Sequence, residues 1–253
     1  MSQRPELTFL GTGSCYAGPY NDTASYLLDG GIMVDVGWHA TQTLRRAGSS
    51  PDAVRHVLFT HLHHDHTMAF PALLFEYYMR RGQGLRVYGT PDIQRLLDDS
   101  DAFLRKETYW PDRDRPELCP LSDGERIAIG DYEIAVMDSA HAIPGFCYRF
   151  HHVPSGVDIG FTGDTAYTDA LPAFFKGCRL LVHEFSWGAQ REKPNLPRHS
   201  DAGDAAKVAE LAGVEALCLV HGPTAERAAC EAVVRRRYSG RLIWPAPNMK
   251  MLL

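Results

Sequence analysis

With 253 residues, 45% of them hydrophobic and 23% charged, the chain can bury a sizeable core and has the composition of a globular protein. Its formal net charge of -5 argues against broad attraction to nucleic acid, which rests on many Lys and Arg contacts to phosphate. Residues 1–6 lack the apolar run of a secretory leader, no stretch is apolar enough to cross a bilayer, and the six cysteines are scattered without a C-x-x-C pair, so a reduced, cytoplasmic protein without a membrane partner is expected.

The elements follow from hydrophobic period and turn chemistry. Residues 7–10 read as a strand that enters the loop Gly11-Thr12-Gly13-Ser14. Strands over 25–28 and 32–36 flank Asp29-Gly30-Gly31, a hairpin signal. A helix over 40–47 stops at Gly48, and a strand over 54–60 delivers the chain to His61. Pro71 suits the first position of a helix over 71–81, followed by a strand over 85–89 and a helix over 91–104. Residues 105–123, rich in Pro, Asp and Glu, are expected to be irregular, with 108–111 as the candidate lid or homodimer contact. Strands over 126–129, 132–137, 145–150, 157–161 and 180–183 follow. A helix over 202–212 closes at Gly213, a buried strand over 216–220 leads to His221, and an amphipathic helix covers 224–238. The basic run Arg235-Arg236-Arg237 at the end of that helix complements its dipole. No linker or low-complexity segment divides the chain, which suits one domain over 1–253 with two sheets flanked by helices.

The histidines carry the chemistry by position. His61 and His63 are two residues apart, so a continuing strand would point both rings to one side, and Asp65 and His66 follow at the turn. One tetrahedral ion does not easily take all four, whereas two adjacent ions do. A flexible tag-like tract would not follow a buried apolar strand and precede an apolar helix. His141, Asp164 and His221 likewise stand just past strand ends, where sheet proteins commonly place their sites. Each alone reads equally as a loop histidine, a turn cap or a strand-end polar residue. Their joint occurrence points to a metal site.

The run Thr60-His61-Leu62-His63-His64-Asp65-His66 resembles the Thr-His-x-His-x-Asp-His signature of the metallo-β-lactamase superfamily, and the resemblance extends over nearly the whole chain. It implies an α/β fold, the four-layer αββα sandwich, with a dinuclear metal site at one edge of the sheets. By that resemblance His61, His63 and His141 hold one metal, Asp65, His66 and His221 hold the second, and Asp164 bridges them. His64 fills the variable slot and is expected not to bind metal but to support a ligand or face substrate. Two divalent ions are implied, Zn²⁺ first and Mn²⁺ or Fe²⁺ as alternatives. Such a pair acidifies water between the ions, and Asp65 would orient the nucleophile.

Within the superfamily the chain is similar to the ribonuclease Z group. The opening Leu10-Gly11-Thr12-Gly13-Ser14, the run Phe161-Thr162-Gly163-Asp164-Thr165, and Val182-His183-Glu184-Phe185 with Arg198-His199-Ser200-Asp201 carry that similarity. It implies that Glu184 orients His199, which protonates the leaving group. The long tRNA-gripping arm of ribonuclease Z has only residues 151–160 to occupy here, and His221 is followed by Gly222-Pro223-Thr224 rather than a serine-containing run. The expected activity is therefore hydrolysis of a small-molecule phosphodiester. Behind it stand tRNA 3′ processing, then lactone, thioester or sulfate-ester hydrolysis, and, as a non-enzyme reading, a metal-dependent ligand sensor. The loop aromatics Tyr16, Tyr20, Trp38, Tyr109, Trp110 and Trp187 are open between pocket lining and edge-of-core packing.

Overall fold

Two seven-stranded mixed sheets, each the centre of its own compact unit, organise the chain in the computed structural model, which describes residues 4–80, 83–189 and 198–253. The first unit comprises Glu6–Leu121 with Ala246–Leu252, and the second is built on Ser122–Pro245.

The first sheet contains β1 (Glu6–Gly11), β2 (Ser25–Leu28), β3 (Ile32–Val34), β4 (His56–Leu58), β5 (Arg86–Gly89) and β6 (Glu117–Pro120). Strands β1 to β3 pair antiparallel and β3 to β6 pair parallel. The β2–β3 hairpin closes as its sequence requires. Asp29 and Gly30 have φ of 46° and 72°, the left-handed pair that matches strand twist, and the Gly31 N–H donates to the Leu28 carbonyl at 3.1 Å. Helices Ala40–Arg46, Phe70–Met79 and Ile93–Leu104 bury their apolar stripes against Leu27, Met33, Val57, Phe59 and Val87 of this unit.

The second sheet contains β7 (Arg126–Ile129), β8 (Tyr132–Asp138), β9 (Phe146–His152), β10 (Val157–Phe161), β11 (Leu180–Glu184), β12 (Ala216–Val220) and β13 (Arg241–Ile243). Strands β7 to β10 pair antiparallel and β10 to β13 pair parallel, while β14 (Lys250–Leu252) returns to pair antiparallel with β1. Every residue of β11 and β12 is buried, as near-continuous apolar strands of a parallel region should be. Helix Ala202–Ala212 covers this region with Ala202, Ala205, Ala206, Ala209 and Ala212, small side chains on one face. Asp201 and Asp204 form a reciprocal capping box at its start, and Gly213, with φ of 65°, stops it. The chemistry-bearing residues follow strand ends: His61 after β4, His141 after β8, Asp164 after β10, Glu184 on β11 and His221 after β12.

Several boundaries differ from the sequence-based expectation. The strand expected over 32–36 stops at Val34, because Asp35 has φ of 59° and turns the chain. The strand expected over 54–60 is paired only over His56–Leu58. Pro71 is the second residue of its helix, not the first, and the expected helix end at residue 81 lies outside the described residues. The stretch 105–123 is not wholly irregular. Arg105, left-handed at φ of 52°, separates helix Ile93–Leu104 from helix Lys106–Tyr109, and β6 follows at the sheet edge, where Pro120 is tolerated. Trp110 stacks on Tyr78 at 5.8 Å and meets Phe75 edge-on at 5.6 Å, so it packs at the rim of the core. The last helix begins as a tighter turn over Thr224–Glu226 and is α-helical over Arg227–Arg235. Strands β9 and β10 are paired from Tyr148–Phe161 to His152–Val157, leaving a four-residue turn over 153–156 with no room for an arm.

Among the described residues no helix is long and apolar enough to cross a membrane. All six cysteines are free. Burial pushes the thiols of Cys147, Cys178, Cys218 and Cys230 up, to about 12 for Cys178 and about 11 for Cys230, whereas Cys15 is exposed. Alkylation of the native protein followed by mass spectrometry is expected to modify Cys15 first and half-buried Cys119 more slowly. The other four should react only after unfolding, and native labelling of Cys218 would contradict this packing.

Candidate metal centre

In the first unit β4 runs into Phe59 and Thr60. The Phe59 ring anchors the strand end in the core, edge-on to Phe70 at 5.3 Å, and its N–H donates to the Tyr88 carbonyl at 2.9 Å. His61 emerges 1% exposed, and the short helix His64–Thr67 turns Asp65 and His66 inward at 4% and 1%. The His61 Nε2 and His63 Nδ1 atoms are 3.0 Å apart, and the His61 and His66 rings are 4.1 Å apart. The Asp65 carboxylate lies 3.5 Å from His66 Nε2.

Asp35 fixes this group. Its carboxylate, 1% exposed, accepts the Thr60 N–H at 2.7 Å, the Thr60 hydroxyl at 2.8 Å and His66 Nδ1–H at 2.8 Å. Since Thr60 donates its only hydroxyl proton to Asp35, its Oγ1 accepts at 3.2 Å from His61 Nδ1–H. The network thus assigns both histidines the Nδ1–H tautomer and leaves Nε2 as the lone-pair nitrogen a divalent ion needs. Further bonds tie down the turn. The Thr23 hydroxyl donates to the Asp65 carbonyl at 2.6 Å, and the Val36 N–H donates to the His66 carbonyl at 2.7 Å. Gly37 permits this approach, because a Cβ there would stand 2.7 Å from Thr23 Oγ1. Asp22 in turn accepts the Thr23 and His39 N–H groups at 2.9 and 2.8 Å.

The second unit assembles the other candidates. Asp164 follows β10 after Gly163, whose φ of 54° allows the turn. Its Oδ1 is 3.5 Å from His221 Nδ1, and its Oδ2 is 3.7 Å from His199 Nδ1 and 4.0 Å from His141 Nε2. One ligand atom each from Asp164, His199 and His221 lie within 4.8 Å of one another. His141 Nδ1–H donates to the Arg198 carbonyl at 2.7 Å, and burial holds this imidazole below its ordinary pKa, towards the neutral form that a ligand requires.

Glu184, 1% exposed, accepts the Thr165 N–H at 2.8 Å and His199 Nδ1–H at 2.9 Å on Oε1, and the Ser186 N–H at 3.0 Å on Oε2. Burial would lower the His199 pKa. The Glu184 hydrogen bond and the charges of Glu184 and Asp164 more than offset it, and the net shift is upward.

Within each unit the residues singled out from the sequence therefore meet: His61, His63, Asp65 and His66 in the first, and His141, Asp164, Glu184, His199 and His221 in the second. His64 is exposed, its ring 6.4 Å from Trp38. The sequence reading missed Asp35, Asp22, Thr23, Thr165 and Ser186. Only Asp35 left a visible signal, an aspartate inside the apolar run Val34-Asp35-Val36 just before Gly37.

Known proteins share this fold. The profile of the β-lactamase superfamily domain matches residues 31–222, and the chain belongs to that family. A ribonuclease Z of Methanothermobacter thermautotrophicus is 26% identical over 267 residues, covering 85% of this chain and 86% of that protein. An uncharacterized protein of Mycobacterium tuberculosis is 29% identical over 225 residues, covering 86% and 80%. The metallo-β-lactamase fold protein YhfI from Bacillus subtilis superposes with a TM-score of 0.83 at 18% identity over 98% of this chain and 99% of that one. A diphosphatase from the PhnP family superposes with a TM-score of 0.73 at 18% identity, covering 99% and 98%. The expected metallo-β-lactamase α/β fold, related to the ribonuclease Z group, is thus borne out, and the protein is a hydrolase of that fold.

Replacing Asp35 by Ala frees His66 to rotate and leaves the buried Thr60 N–H without its acceptor. Chelator-competition titration is expected to show divalent-ion affinity falling about 10- to 100-fold. Thermal unfolding should report a loss of about 1–3 kcal/mol. Wild-type affinity in Asp35→Ala would show that the carboxylate does not orient a ligand.

Proposed function

We propose that the two clusters act as one dinuclear centre, with His61, His63 and His141 on one ion, Asp65, His66 and His221 on the other, and Asp164 shared. The donor set, five imidazoles and two carboxylates, suits Zn²⁺, with Mn²⁺ or Fe²⁺ as alternatives. When bound, the ions supply Lewis acidity that neutralises phosphoryl oxygens and acidifies a water nucleophile.

The remaining work falls to the chain's own residues. Asp65 accepts a hydrogen bond from the nucleophile and fixes its direction. Glu184 holds His199 by Nδ1, leaving Nε2 to carry the proton given to the departing alkoxide. The reaction is hydrolysis of a phosphodiester, and the substrate is a small molecule.

The observation that carries this reading is the Glu184–His199 pair at 2.9 Å, with His199 Nδ1 also 3.7 Å from Asp164. A thioester expels a weakly basic thiolate that leaves without a proton, so a carboxylate-held imidazole there favours substrates that release an alkoxide, phosphodiesters among them. The four-residue β9–β10 turn and the net charge of -5 favour a small substrate over tRNA.

The test is a panel on metal-analysed protein: an alkyl phosphodiester, bis-p-nitrophenyl phosphate, cyclic nucleotides, an acyl lactone, an aryl sulfate and precursor tRNA. Phosphodiester cleavage should vanish in Asp164→Ala. In His199→Ala it should fall by about 10²- to 10⁴-fold with an alkyl leaving group and much less with p-nitrophenolate, which departs without a proton. Equal losses on both substrates would remove the proton-donor role. Fast lactone opening without phosphodiesterase activity would overturn the reading, and cleavage confined to precursor tRNA would overturn the small-molecule part of it.

A further inference from the structure

Ser186 stands where β11 and β12 leave the second sheet side by side, paired up to Glu184 and Val220. The Phe185 N–H extends the ladder by donating to the Val220 carbonyl at 3.1 Å. His221 then departs with φ of 55°, a conformation unfavourable to a residue with a side chain unless its surroundings hold it. Gly222 follows against Phe185, where a Cβ would lie 2.6 Å from the Phe185 carbonyl oxygen. This close approach brings the Ser186 side chain to His221.

The hydroxyl of Ser186 makes two contacts there. It lies 2.9 Å from the His221 carbonyl oxygen and 2.9 Å from His221 Nδ1. A carbonyl only accepts, so the single hydroxyl proton goes to it, and the serine oxygen must then accept from Nδ1–H. The serine therefore pins both the left-handed backbone and the ring of His221, and fixes Nε2 as its lone-pair nitrogen. At the same time the Ser186 N–H donates to Glu184 Oε2 at 3.0 Å, which turns the other oxygen, Oε1, to His199 at 2.9 Å.

We infer that Ser186 is the positioning residue of the second unit, joining the metal-ligand histidine to the proton-donor pair: its hydroxyl sets the tautomer and direction of His221, and its backbone N–H sets Glu184. The inference rests on His221 being a metal ligand, as proposed above. It divides the two functions of one residue between side chain and backbone. Removing the hydroxyl disturbs His221 and leaves the Glu184–His199 hydrogen bonds in place.

The experiment is chelator-competition titration of the metal-free protein with Zn²⁺, alongside thermal unfolding of the same metal-free samples. Ser186→Ala should lose about 10- to 100-fold in affinity at one of two sites while the other stays within about threefold. Ser186→Thr, which restores a hydroxyl, should return affinity to within about threefold of wild type. Glu184→Gln should keep wild-type affinity, separating the ligand role from the proton-donor role. The metal-free variants should unfold within a few degrees of wild type, so that the loss is not a loss of fold.

Wild-type affinity in Ser186→Ala, or equal loss in Ser186→Ala and Ser186→Thr, would overturn the inference. Because metal affinity is read without turnover, the inference survives if the protein proves inactive on phosphodiesters. It fails on its own if phosphodiester hydrolysis is confirmed and Ser186→Ala binds Zn²⁺ normally.

Discussion

Four of the histidines proposed as metal ligands give their Nδ1 protons to fixed acceptors, and the chemistry proposed for the site depends on that. His66 gives its proton to Asp35, His61 to Thr60, His141 to the Arg198 carbonyl and His221 to Ser186. An imidazole bound by hydrogen bond at one nitrogen has its tautomer and ring direction set, and its other nitrogen gains basicity. Without those acceptors, ring flips would scatter the lone pairs. With them, the proposed ligands would be organised before an ion arrives, which lowers the ordering cost of binding.

The two units solve the same problem with the same device. In each, one buried carboxylate takes three donors, of which one is a histidine Nδ1–H and at least one a backbone N–H beyond a strand end. Asp35 does so for Thr60 and His66, and Glu184 for Thr165, Ser186 and His199. A charge so far from water is tolerated only when its lone pairs are satisfied, and these are. The difference lies in what the pinned histidine does. The partner of Asp35 lies 3.5 Å from the carboxylate of the preceding residue, whereas the partner of Glu184 keeps a quarter of its side chain exposed.

Much of this was legible in the sequence because strand ends are loud. Apolar runs such as Ala216–Val220 terminate in a polar residue of ligand type, and the spacing of His61, His63, Asp65 and His66 admits few other uses. The helix Ala202–Ala212 with Gly213, and the hairpin at Asp29-Gly30, followed from local rules that the structure obeys. What stayed hidden was the layer of residues that hold the candidate ligands. Thr23, Thr165 and Ser186 are common polar types whose importance arises from partners 42, 19 and 35 positions away. Asp35 was read as part of a strand because its neighbours are β-branched, and only its left-handed backbone shows that it ends one. Helix Lys106–Tyr109 was missed because it is a four-residue element in a Pro- and Asp-rich stretch, below the length at which hydrophobic period speaks.

Anomalous diffraction from zinc-loaded crystals tests the tautomer assignment at the heart of the proposed centre. Two ions per chain are expected, bound by Nε2 of His61, His66, His141 and His221 and by Nδ1 of His63, with each Nδ1–H still on its acceptor. Coordination through Nδ1 of His66 or His221, or ions bound away from these residues, would contradict it.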